Sequence, residues 1–190
     1  MKYTTIFTGN SESDFLNIFA SNPIEILSLS LDDPPEILTE FVKKYDGKFL
    51  AGFISYEYGV KQLGVPVHNL NDFPAAHFRV YDSFDKNKQL EEPKNINWDQ
   101  FESTLIKSEY DSSFEKIQNH IRSGDFYQIN FTHSLKSKTK SSPKELFLKL
   151  RGKNQVGYSV FMEHNDWAIH SLSPEQFIKI ENRIITTKPI

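Results

Sequence analysis

Apolar and polar positions along this chain repeat with two different periods, and the places where the period changes mark its elements. In "NSESDFLNIFAS", Phe15, Ile18 and Phe19 share one face at helical spacing, acids sit in the first turn, and Ser11 or Asn10 is placed to cap it. That pattern predicts a short helix. "DDPPEILTEFVKKYDG" predicts another, with prolines at its start, a stripe of Ile37, Leu38, Phe41 and Val42, and Gly47 just past its end. "KFLAGFISYEYG" is apolar and aromatic and reads as a strand, with Gly52 marking a bulge or a close backbone approach. "AAHFRVYDSF" alternates with period two, His77, Arg79 and Tyr81 against Phe78, Val80 and Asp82.

Asp85 to Gln100 is polar and rich in Asn and Lys, as expected of a hairpin tip and a connector. It suggests a lobe boundary near Ser108, with lobes at 1–107 and 108–190. "DSSFEKIQNHIRSGD" then predicts an amphipathic helix with Phe114, Ile117 and Ile121 on one side and Gly124 as its stop. "FYQINFTHSL" reads as a strand. "SSPKELFLKLRGKN" reads as a helix with Ser142, Pro143 and Glu145 in a capping-box arrangement and Gly152 as its C-terminal punctuation. The rest is strand after strand. "GYSVFMEH" turns at Asn165-Asp166 into "WAIHSL", and "QFIKI" turns at Glu181-Asn182 into "RIITT". Helices and antiparallel hairpins mix without a βαβ rhythm, so the expected class is α+β, antiparallel sheets with flanking helices.

Composition narrows the function. The 190 residues include 16 Phe and are 38% hydrophobic, enough for a substantial core. A net charge of -3 argues against a nucleic-acid binder, and Lys136, Lys138 and Lys140 read as a solvated loop. With no cysteine, the chain has no disulfide, thiolate nucleophile or Cys-type zinc site. No apolar run approaches a membrane span and "MKYTTIFTGN" lacks a signal peptide's apolar core, so a cytoplasmic protein is expected.

The generic catalytic motifs are absent: no G-x-G-x-x-G, Walker loop, H-E-x-x-H or G-x-S-x-G. Six histidines, at 68, 77, 120, 133, 164 and 170, show no metal-ligand spacing. Glu57 in "ISYEYG" reads as a hydrogen-bond acceptor at a strand end. Glu175 in "SLSPEQF" stands apart. Pro174 forces Ser173 out of helical geometry and kinks the chain between two strands, so the carboxylate projects from a rigid turn. From spacing alone, a carboxylate after proline is more often a structural turn residue.

"IRSGDFYQINFTHSL", "SPKELFLKLRGKN", "GYSVFMEHNDWAIHSLSPEQF" and "IITTKPI", in unbroken order from Phe114 to Ile190, resemble the opening half of the chorismate-binding domain of component I enzymes, the aminodeoxychorismate and anthranilate synthases. "GFISYEYG" and "FPAAHFRVYDSF" resemble that family's N-terminal lobe more loosely. The resemblance implies a two-sheet architecture, and it makes Glu175 the general acid that protonates the C4 hydroxyl of chorismate as it leaves. Asn130 and the "TTKPI" ending resemble the aminodeoxychorismate branch, which belongs to p-aminobenzoate and folate biosynthesis.

Further expectations follow from the same resemblance. Magnesium is the implied cofactor, with no ligands in this chain. A separate glutamine amidotransferase subunit is the implied ammonia source. Gly157, Tyr158 and Ser159 align with a segment that lines a tryptophan pocket, although Gly stands where Pro is usual. The family's remaining catalytic residues follow T-x-P-I, so the chain is expected to be the N-terminal portion of a longer enzyme, inactive alone. Anthranilate, isochorismate or salicylate synthesis remains an alternative, as does a non-catalytic ligand- or partner-binding module.

Overall fold

The computed structural model describes residues 3–10, 17–67, 70 and 73–189. They form eleven strands and four helices: β1 Thr4–Thr8, β2 Ile18–Ser21, β3 Glu25–Leu29, α1 Pro35–Lys44, β4 Phe49–Ile54, α2 Tyr56–Gln62, β5 Ala76–Tyr81, β6 Glu102–Ser103, α3 Lys107–Ser123, β7 Leu135–Lys136, α4 Pro143–Lys153, β8 Tyr158–Glu163, β9 Ala168–Ser173, β10 Gln176–Glu181 and β11 Ile184–Lys188. All strand pairs are antiparallel, as expected for the α+β class.

The chain divides into two compact units, 1–94 with 143–190, and 95–142. The cut is not linear in sequence because β1 lies between β2 and β8, pairing Thr8 with Ser159 and Thr4 with Glu163. Ser108 falls inside the smaller unit.

The larger unit is built on two sheets, ordered β2-β1-β8-β9 and β3-β5-β4, with the β10-β11 ribbon beyond them. The facing sides of the two sheets meet through Ala20, Ala51, Tyr81 and Met162, flanked by Phe7, Phe49, Phe53, Trp167 and Ile169. The outer side of the first sheet packs under α4, where Ile6 and Phe161 bury against Phe147 and Leu148. The Phe147 and Phe161 rings stack at 5.3 Å. The outer side of the second sheet is covered by Ile37 and Leu38 of α1 and Tyr58 of α2, packed on Leu29, Ala76 and Phe78.

Local chemistry explains most boundaries. Pro35 opens α1, and the chain leaves it through Gly47 at φ 80°. Gly52 is the close approach its sequence suggests, since an added Cβ would lie 2.3 Å from the carbonyl oxygen of His77. The tight β10-β11 turn falls on Asn182 and Arg183, both at positive φ, 50° and 64°, one residue later than the expected Glu181-Asn182 because Glu181 pairs with Ile184.

Four expectations are corrected. Ile18 and Phe19 lie on β2 and not on a helix, because pairing with β1 overrides the local spacing; residues 11–16 of that expected helix lie outside the described residues. The "KFLAGFISYEYG" strand stops at Ile54, where the Ser55 hydroxyl accepts the Tyr58 N–H at 3.1 Å and starts α2. In "FYQINFTHSL" only Leu135 enters a strand, paired with Ser103, while Phe126–Ser134 is irregular. Gly152 sits within α4, which ends at Lys153.

In the smaller unit, α3 runs from Lys107, four residues before its expected start, to its left-handed Gly124 cap at φ 84°. Glu109 accepts the Ile106 N–H at 3.3 Å. None of its residues is fully buried, and Phe114 is 46% exposed.

Candidate functional site

The turn that carries Glu175 is held by one side chain. Only Pro174 and Glu175 separate β9 from β10. The Ser173 hydroxyl accepts the Glu175 N–H and donates to the Glu175 carbonyl, both at 3.1 Å. This local loop fixes the backbone of the acid while leaving its side chain outside. Pro174 and Glu175 are exposed, and among the described residues the carboxylate has no hydrogen-bond or ion-pair partner. The ribbon that follows presents Phe177, Ile178, Ile180, Ile184 and Ile185, each 50% to 81% exposed. The acid therefore stands at the foot of an uncovered apolar surface.

The second expected segment lies at the same end of the β8-β9 pair. Tyr158 is directly opposite Ser173, and Ser159 is opposite Leu172. The structure thus brings Gly157, Tyr158 and Ser159 beside the base of the Glu175 turn. Ser159 is 1% exposed and its Oγ has no hydrogen-bond partner among the described residues. Across the sheet from it, Thr8 donates to Asn17 Oδ1 at 2.6 Å and accepts from Arg151 Nη2 at 3.1 Å. Arg151 also donates to the Gly9 carbonyl at 3.0 Å. Asn17 and Arg151 were not singled out by sequence, because their convergence depends on β1 and α4 meeting across more than 140 residues.

A third polar group lies between the two sheets. His77, Arg79 and Tyr81, one of the two alternating faces of β5, are 1%, 0% and 1% exposed. Burial, together with the Arg79 and His164 charges, pushes the His77 pKa down to about 4. Burial also lowers the Arg79 pKa and that of His170. Glu57 lies in the first turn of α2, half-buried, and not at a strand end. Of the expected histidines, His68 lies outside the described residues.

Among the described residues no three His, Cys, Asp or Glu side chains converge into a group that could hold a metal ion. They do not by themselves form a magnesium site. No helix among them is long and apolar enough to cross a membrane.

Two packed antiparallel sheets with flanking helices and a Ser-Pro-Glu turn between strands define an α+β scaffold. More particularly, the chain belongs to the chorismate binding enzyme family, whose pattern matches residues 29–190. It is 36% identical over 90 residues to the aminodeoxychorismate synthase component 1 of Salmonella typhimurium, a match covering 47% of this chain and 20% of the relative. The same component of Escherichia coli is 33% identical over 90 residues, again 47% and 20%. An anthranilate synthase component 1 of Pseudomonas putida is 26% identical over 91 residues, 48% of this chain and 18% of the relative. The matched segments thus span about a fifth of those relatives' lengths.

Proposed function

We infer that the chain acts in component I of an aminodeoxychorismate synthase, where chorismate and ammonia give 4-amino-4-deoxychorismate. The observation that carries this reading is the gradient of similarity. Aminodeoxychorismate synthases reach 32% to 36% identity over about 90 residues, while anthranilate synthases stand at 26% to 28%. Asn130 and the "TTKPI" sequence agree with it. In this reading a glutamine amidotransferase subunit supplies the ammonia, and magnesium is held by residues other than those described.

Glu175 is the proposed general acid. Hydroxide is a poor leaving group, so the C4 oxygen of chorismate must take up a proton as its bond to carbon breaks, and it departs as water. The Ser173 loop holds the acid's backbone, which is the positioning such a step needs. Because the carboxylate is exposed, the protonated form this role demands requires a dry enclosure over the turn when substrate binds. The same reading makes residues 1–107 and 108–190 the N-terminal lobe and the start of the chorismate-binding domain, and makes the 190 residues by themselves inactive.

The test is product identification. The full-length protein, with chorismate, ammonia and magnesium, should give aminodeoxychorismate by mass spectrometry; anthranilate would move the chain to the sister branch. Glu175→Gln should cut turnover at least about a hundredfold, the usual worth of a positioned proton donor, with the unfolding midpoint unchanged. Near-normal turnover removes Glu175 from the role.

A further inference from the structure

The charge buried between the two sheets has no ion-pair partner among the described residues. Arg79 is 0% exposed and sits at the centre of β5, the middle strand of its sheet. Its Nε donates to His77 Nε2 at 3.0 Å. A guanidinium can only donate, so His77 Nε2 is an acceptor, and the imidazole is neutral with its proton on Nδ1. That nitrogen donates to Ser28 Oγ at 2.8 Å. Arg79 Nη1 donates to the Thr4 carbonyl and to Thr5 Oγ1, both at 3.3 Å, and Thr5 Oγ1 in turn bonds the Tyr81 hydroxyl at 2.7 Å. Each of these partners is neutral. The third nitrogen, Nη2, is buried and has no acceptor among the described residues.

Aromatic rings complete the enclosure. The guanidinium carbon lies 5.3 Å from the Tyr3 ring and 5.8 Å from that of Trp167, and the His164 ring stacks on Trp167 at 4.9 Å. Ring faces attract a cation but do not neutralise it. Glu163 acts on Arg79 only through space, because it follows Met162 on β8 and its side chain alternates to the opposite side of the sheet. A buried charge without an ion partner costs several kcal/mol, and arginine does not escape that cost by losing its proton.

We propose that Arg79 Nη2, walled by Tyr3, His77, His164 and Trp167, binds one small inorganic monoanion of halide size in the core between the sheets. A monoanion accepts the unused N–H and cancels the charge together; a water molecule would do only the first. The inference is independent of the proposed catalytic function.

Crystals of the protein grown with bromide in place of chloride, measured at the bromine absorption edge, test it directly. An anomalous peak within hydrogen-bond reach of Arg79 Nη2 is the expected result, and an ordered water there without bromine signal overturns the proposal. In solution, chloride titrated against gluconate at fixed ionic strength should lower the unfolding equilibrium constant about tenfold per tenfold rise in chloride above the dissociation constant. Arg79→Met should abolish that dependence. An unfolding midpoint in the native protein that ignores chloride also overturns it. Where Arg79→Met fails to fold, the crystal measurement decides.

Discussion

The two-sheet body and the β10-β11 ribbon belong to the same compact unit and are built on opposite principles. In the body, Ile6, Val80, Phe147 and Phe161 are 0% or 1% exposed, and every sheet face is covered by a helix or by the other sheet. In the ribbon, five large apolar side chains face outward and no residue of β11 is even half-buried. The candidate acid sits at the junction of the two. The contrast suggests a division of labour in which the body supplies rigidity and the ribbon supplies surface. A site placed at such a junction inherits its position from the packed side and its accessibility from the open one.

Four measurements would break or sharpen that contrast. The largest effect should come from Phe161→Ala, which removes a fully buried ring stacked on Phe147; we expect a loss of about 3–5 kcal/mol in urea unfolding. Acid should come next. The folded pKa of His77, about 4, lies below its ordinary 6.5, so the folded state resists taking the proton. Stability is therefore full above pH 6.5 and falls as pH drops toward 4, by a ceiling on the order of 3 kcal/mol. Burial of His170 acts in the same direction. His77→Gln should flatten that profile, and an unchanged profile would remove His77 as the cause. Gly52→Ala pushes a methyl group into the His77 carbonyl and should cost about 1–3 kcal/mol. Phe177→Ala, on the ribbon, should change stability by less than about 0.5 kcal/mol. A loss comparable to that of Phe161→Ala would show that the ribbon is packed in solution and would end the distinction drawn here.

Elements whose signals are local were legible in the sequence. Proline and glycine bracket α1, the period of two marks β5, and turn pairs place the β8-β9 and β10-β11 hairpins, including the kink that presents Glu175. What was not legible depends on distant partners. Phe15, Ile18 and Phe19 imitate a helical stripe, yet Ile18 and Phe19 become a strand because β1 offers them a ladder. "FYQINFTHSL" has strand-like residues, but only Leu135 and Lys136 find a partner in β6, so the rest stays irregular. Alternation marks His77, Arg79 and Tyr81 as one face of β5 without saying what covers it. Only the first sheet, laid over it, turns it into core. For the site, the position of the acid was readable from Ser173-Pro174-Glu175, and its exposure was not, since nothing in a turn motif says what stands above it.

The interleaving of β1 with β8 has a consequence for synthesis. The first strand has one neighbour, β2, within the next few residues, but its other flank stays bare until Ser159 and its companions emerge. At ribosomal speeds that wait is roughly ten to thirty seconds, during which the nascent chain carries an open hydrogen-bonding edge. Closing the first sheet therefore waits for β8 to leave the ribosome. The early-made β3-β5-β4 sheet must stand by, its buried arginine still wet, until the opposing wall arrives.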